Sequence, residues 1–471
     1  MKIAGEFMSQ ISKSPVTIGL IILVLILAGI AGYLASRPAE QVTTTVTAPG
    51  LASTVTVTVP GLVSTITVPG TVSTVTVTQT GALTAPTRIE YVIGFAMAVS
   101  GPYAVDGPVR RDGGILAIEH INKYLESIGS PIRFRFVHDD TKGAAADALK
   151  VVQSMYAAGI KVIVGPFSSG EVRGIMDFAN TNKIVVISPS STSPLLAVPN
   201  DYVFRTVPTD LFQAEVVAKV MSDHGVKKVA IMARGDDYGK GLADAFERVF
   251  TQKYGGRVSK LIYTVPQPDY ASEVARLSSM VAELGADTST AVFIIAFEDD
   301  GLNIIGHARL DPVLSKVRWF GSETLRRPAA YLPEPDGKAP IEVAEFLDKV
   351  KLTGVFASPR GSPLATIFEE EYKARFGRSP SPYAYFTYDS VWVAALAILF
   401  AGTYDGEAVA KSLPIVGEHF IGVTGYKAFD ENGDAAGADY TIWQYRFNGT
   451  KYSFKDIGVW KYPAGLTEYY E

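Results

Sequence analysis

The chain is predicted to be an α/β protein built from doubly wound parallel sheets, and three observations predict it. From residue 88 onward, short apolar runs alternate with helical stripes. Several runs are continuously apolar, as in strands buried on both faces of a parallel sheet. Their strand–helix–strand order is that of doubly wound architecture. Apolar residues make up 47% of the 471, enough for a large core spread over two or three domains.

The elements follow in order. Residues 1–15 form an N-terminal tail. Residues 16–34 read VTIGLIILVLILAGIAGYL, nineteen residues without a charge. At about 1.5 Å per residue such a helix covers a hydrocarbon core of about 30 Å. A secretory signal has a shorter apolar core and a small-residue cleavage site, so 16–35 is read first as an uncleaved anchor, with a removed signal segment as the alternative. Lys2 and Lys13 precede the run and Arg37 follows it, a weak bias for an outside C-terminus.

Residues 36–87 are rich in Thr, Val, Pro and Gly and carry an imperfect repeat: STVTVTVPGL from Ser53, STITVPGT from Ser64 and STVTVTQTG from Ser73. An extended, O-glycosylated stalk is the favoured reading, reaching on the order of 40 Å as a flexible coil. A set of short strands is the rival, because Thr–Val alternation is also a strand pattern. The triplet Asn448-Gly449-Thr450 fits an outside location.

Strand-like runs then lie at 89–98, 132–137, 162–164, 184–187, 229–232, 258–263, 291–296 and 317–320. Ala117, Ile121, Tyr124 and Leu125 form one helical stripe, and Val216, Val217, Val220 and Met221 another. The apolar run 391–401 is too short to span a membrane and reads as a core helix. No second spanning segment follows, which argues against a transmembrane receptor.

Composition excludes several function classes. The net charge is -5 with no basic cluster, so nucleic acid is not an expected partner. Cysteine is absent, which removes disulfides, thiol catalysis, iron–sulfur clusters and a lipidated-cysteine anchor. His120, His138, His224, His307 and His419 are scattered, without HExxH spacing. There is no G-x-S-x-G elbow and no Walker loop. Residues 430–434 (DENGD) begin like a calcium loop, but Ala435 stands at the turn glycine and Thr441 at the closing glutamate. That segment reads as a hairpin turn. No enzyme, no cofactor and no metal is implied.

In doubly wound sheets, ligands bind beyond the C-terminal strand ends. Four segments fall there. Residues 162–170 (VIVGPFSSG) run from a strand into a helix, with Ser168 or Ser169 near the N-cap and free backbone N–H groups for an anion. Residues 187–194 (ISPSSTSP) repeat the pattern after the next strand. Residues 234–241 (RGDDYGKG) place Tyr238 to cover a ligand, and 321–324 (GSET) offer the carboxylate of Glu323. Hydroxyls and amides on one side and a carboxylate on the other suit a zwitterion.

These segments, with SGP at 100–102, DD at 139–140, YVFRT at 202–206, DYGKGL at 237–242, FGSE at 320–323, residues 383–389 and FDENGD at 429–434, carry a resemblance. The chain resembles the leucine/isoleucine/valine-binding family of type I solute-binding proteins, in a membrane-anchored, archaeal-like form, over roughly residues 88–460. The resemblance implies two doubly wound lobes joined by three hinge crossovers near Val207, Ala357 and Gly422. Lobe 1 would combine 88–207 with 358–422, and lobe 2 would combine 208–357 with 423–471. It also implies an extracytoplasmic substrate-binding component of an ABC transporter, working with permease and ATPase subunits and tethered to the cell membrane by one span. The branched-chain or related amino acid would be held between the lobes. Ser169 and Thr192 would hold its carboxylate, the carbonyl of Ser190 and the carboxylate of Glu323 its ammonium, and Tyr238 would close from lobe 2. Ser168, Tyr103 and Tyr383 are further candidate walls. Asp106 and Phe297, with the acidic stretch 298–300, depart from the family's aromatic and glycine-rich pattern, so a polar or cationic ligand side chain stays open. Other readings are a sensory or surface-structural subunit without transport, and a binder of amides or short peptides.

Overall fold

The computed structural model describes residues 88–357 and 363–470, together with four strands between residues 43 and 76. The expected anchor at 16–35 lies outside the described residues. The four N-terminal strands are β1 (Thr43–Thr45), β2 (Ser53–Val59), β3 (Leu62–Val68) and β4 (Thr74–Thr76). They pair antiparallel, β2 with β3 and β1 with β4. Where an extended stalk was favoured, these segments are paired strands. Alternating Thr and Val suits a pleated ribbon in which each backbone satisfies its neighbour. They belong to a unit, residues 1–88, separate from the unit of 89–471.

The first sheet of the larger unit is wholly parallel. It comprises β5 (Ile89–Ala96), β6 (Ile132–Asp139), β7 (Val162–Val164), β8 (Val185–Ser188) and β9 (Val203–Arg205), in the order β6-β5-β7-β8-β9. The second contains β10 (Lys228–Arg234), β11 (Arg257–Tyr263), β12 (Thr290–Ile295), β13 (Arg318–Gly321) and β14 (Thr353–Ala357). After the two-residue strands β15 (Ile421–Gly422) and β16 (Gly425–Tyr426), the chain adds β17 (Tyr440–Phe447), β18 (Tyr452–Lys461) and β19 (Leu466–Tyr469) to its edge. The order is β11-β10-β12-β13-β14-β17-β18-β19, parallel through β14 and antiparallel beyond. The second sheet is thus mixed rather than wholly parallel.

All eight expected runs are strands, and the continuously apolar ones bury both faces: every residue of β7, β8 and β12 is buried. The stripe Val216, Val217, Val220 and Met221 is buried on helix Asp210–Asp223. On helix Gly107–Ser127, Ala117, Ile121 and Leu125 are buried, whereas Tyr124 is exposed beside Trp392. The run read as 391–401 belongs to a longer helix, Pro382–Ala401. Its 20 residues and mean hydropathy of 1.5 fit a membrane span by length and composition. Its Val391, Val393, Ala394, Ala397 and Ile398 instead pack against β5, β7 and β8 of the first sheet. Residues 430–434 form the expected turn, with the N–H groups of Asn432 and Asp434 donating to Asp430.

Candidate functional site

The C-terminal ends of the two sheets supply the walls of one cavity. After β7, Gly165 and Pro166 lead to Ser168, which caps helix Ser169–Thr181. Its Oγ accepts from the Glu171 N–H (3.2 Å) and donates to Glu171 Oε2 (2.7 Å), while its own N–H donates to that same oxygen. This capping box fixes the helix start and commits the Ser168 hydroxyl. The opening N–H groups of the helix have no intrahelical acceptor. Ser169 Oγ accepts from the Ser193 N–H (3.2 Å) and keeps its own proton to donate. Ser190 Oγ donates to the Phe167 carbonyl (2.6 Å) and accepts from Arg110 Nη1 (3.1 Å).

The opposite wall comes from the second sheet. After β10, Asp236 caps helix Asp237–Tyr254 through the Gly239 N–H. That puts Tyr238 in the first turn. After β13, Glu323 is 5% exposed, yet both carboxylate oxygens are satisfied. Tyr238 Oη donates to Oε2 at 2.8 Å, and Tyr383 Oη, from helix Pro382–Ala401, donates to Oε1 at 3.0 Å. Burial, then the Glu323 charge, pushes both phenols well above their ordinary range. They therefore remain donors.

Ser168, Ser169, Ser190, Tyr103, Tyr238, Phe297, Glu323 and Tyr383 all line this cavity. Thr192 and Asp106 do not. The Thr192 hydroxyl donates to Asp210 Oδ2 (2.8 Å), and Asp210 Oδ1 accepts from Gln213 Nε2 (2.6 Å). Gln213 Oε1 in turn accepts from the Glu323 N–H (3.0 Å). Thr192 and Glu323 are thus joined through helix Asp210–Asp223. Burial and then the neighbouring Glu323 raise the Asp210 carboxyl well above its ordinary value, which favours its keeping a proton.

Sequence reasoning missed two guanidinium groups. Arg110 and Arg327 both line the cavity and are 4% and 5% exposed. Asp106 Oδ2 lies 2.6 Å from Arg110 Nε and 3.4 Å from Arg327 Nε. Burial opposes the Asp106 charge, but Arg110 and then Arg327 outweigh it and hold its pKa down to about 2. The Arg110 guanidinium stands 4.2 Å from the centre of the Tyr383 ring. Glu298, also in the wall, is 3.7 Å from Arg327, and burial raises its carboxyl. Of the acidic stretch after Phe297, only Asp299 faces water; Asp300 is buried against Arg234 (3.0 Å). A signal was present: each arginine follows a singled-out acid by four residues, Asp106 to Arg110 and Glu323 to Arg327.

The free space between the walls is about 30 Å³, little more than two water molecules need. Ligand pockets run to about 300–1,000 Å³, so a ligand enters only if the walls part or these side chains swing.

Two α/β halves whose strand ends face one another across a carboxylate-bearing cavity define a bilobal ligand-binding protein. The comparisons agree. The receptor family ligand binding region matches residues 113–448. The chain is 31% identical over 398 residues to an uncharacterized protein of Methanocaldococcus jannaschii, covering 79% of this chain and 90% of that one. It is 26% identical to a leucine-, isoleucine-, valine-, threonine- and alanine-binding protein of Pseudomonas aeruginosa, covering 77% and 92%. Among solved structures, a leucine-binding protein of Thermotoga maritima has the same fold (TM-score 0.66, 22% identity, 80% of this chain and 99% of that one). The chain belongs to the leucine/isoleucine/valine-binding family of type I solute-binding proteins.

Proposed function

We infer that this chain is the extracytoplasmic substrate-binding component of an ABC transporter and captures an amino acid between its two halves. The observation that carries this reading is Glu323, a buried carboxylate gripped by Tyr238 from one wall and Tyr383 from the other. A ligand ammonium beside Glu323 replaces part of that grip. The ligand carboxylate then sits at the start of helix Ser169–Thr181, where Ser169 Oγ and free N–H groups favour negative charge. The Ser190 carbonyl is the second acceptor for the ammonium. The lobes are taken as 88–207 with 358–422, and 208–357 with 423–471. Hinge closure of the two brings these ends together. The apolar run 16–34 anchors the protein in the membrane.

Hydrogen bonds to charged groups contribute about 1.5–3 kcal/mol each, and micromolar affinity is about -8.2 kcal/mol. Anchoring both ends of a zwitterion therefore gives general amino-acid affinity. Calorimetric titration with amino acids should show Ser169→Ala and Glu323→Gln weakening binding roughly ten- to a hundredfold, about 1.4–2.8 kcal/mol. Unchanged affinity in both variants would refute the site.

A further inference from the structure

Arg327 has unspent hydrogen-bonding capacity. Its Nη1 donates to the Arg326 carbonyl (3.1 Å), and its Nε lies at ion-pair rather than hydrogen-bond distance from Asp106 and Glu298. Its Nη2 is buried without a partner among the described residues. A buried charged donor left unmatched is costly, and its natural partner is a carboxylate approaching the fork of the guanidinium.

Resting on the amino-acid reading above, we propose that the ligand carries a second carboxylate on its side chain, received by Arg327 with Arg110 beside it. The ligand class is then the acidic α-amino acids.

The alternatives fit less well. A cationic side chain needs an unspent carboxylate, and Asp106 already faces both guanidinium groups. Glu298 already stands 3.7 Å from Arg327. An apolar side chain laid against Arg327 leaves its buried Nη2 unmatched. The remaining charges around the site are engaged. Glu323 is taken by the tyrosines and by the ligand ammonium, Asp210 by Thr192 and Gln213, Glu171 by Ser168 and Thr141, and Arg234 by Asp236 and Asp300. Asp106, Glu298 and Arg327 also border a second void of about 690 Å³.

Isothermal titration of the full-length protein with L-glutamate, L-aspartate, L-glutamine, L-leucine, L-lysine and glutarate tests this. L-glutamate or L-aspartate should bind at least tenfold tighter than L-glutamine. Arg327→Met should shrink that ratio at least tenfold, and Arg327→Lys should restore part of it. The wild-type ranking decides the matter even if the methionine variant fails to fold. Tightest binding of L-leucine, L-glutamine or L-lysine overturns the acidic ligand and leaves the amino-acid reading standing. Glutarate binding as well as L-glutamate overturns the ammonium role of Glu323 while the arginine seat stands. Binding of none of the six overturns both.

Discussion

Arg205 is 1% exposed, and four acceptors surround its guanidinium. Nε and Nη2 form a fork onto Asp434 at 2.5 and 2.6 Å, and Nη1 donates to the carbonyls of Ser193 (2.7 Å) and Ser191 (3.2 Å). Those carbonyls belong to the loop after β8, so this pair shapes the wall that carries Ser190. Removing one partner of a buried pair leaves an uncompensated charge, which costs about 3–5 kcal/mol. Arg205→Met should therefore lower the unfolding free energy in urea by that amount. A loss below about 1 kcal/mol would show that the charge escapes to solvent.

At the scale of the element, helix Pro382–Ala401 does two jobs. Its first turn presents Tyr383 to the cavity, and its middle presents Asp389 to the segment that contains β15 and β16. Asp389 accepts from the N–H groups of Val423 and Thr424 (2.8 Å each) and from the Thr424 hydroxyl. A Cβ on Gly422 would come within 2.2 Å of that carboxylate, so the close approach requires glycine. Lys427, 3% exposed, reaches the Thr424 carbonyl at 3.2 Å. Burial pulls its ammonium down from 10.5 to about 8, with Asp389 partly opposing. Between those values the folded chain holds neutral Lys427 while the unfolded chain still holds its proton. Folding there releases a proton, and stability rises with pH through the window. The burial penalty, about 3 kcal/mol, is felt in full below pH 8. Urea midpoints of wild type and Lys427→Met, compared from pH 7 to 10.5, should move in favour of the wild type as pH rises. A constant difference would rule this out.

For the whole molecule, the question is how closely the two walls meet. Ser193 Oγ, in the loop after β8, donates to the Asp237 carbonyl at 2.7 Å. A Cβ on Gly241 would lie 2.3 Å from that same Ser193 Oγ and 3.1 Å from Pro194 Cδ. Ala raises helix propensity over Gly by about 1 kcal/mol, so Gly241→Ala costs its own helix nothing. It should nonetheless hold the walls apart. We expect affinity for the tightest amino acid to drop at least tenfold, and the contraction seen by small-angle scattering on saturation to shrink. Full affinity with full contraction would mean the approach is not needed.

The sequence by itself determined the local elements and most of the cavity wall. Runs such as 162–164 and 291–296 announce buried strands because burial on both faces leaves no room for polar residues. Ser169, Tyr238 and Glu323 were legible because strand ends that lead into helices are where backbone donors and loop side chains gather. β9, β14 and the antiparallel edge β17–β19 were not identified, since their stability comes from partners far along the chain. β14 pairs Thr353 with Gln444, for example. Only the tertiary structure decided the charges. Arg110 and Arg327 read like any solvated arginine until folding brings them both to Asp106 and into the wall of one cavity. Periodicity records which face of an element is buried. It does not record which distant charge shares that burial, because such pairing depends on distance in space rather than along the chain.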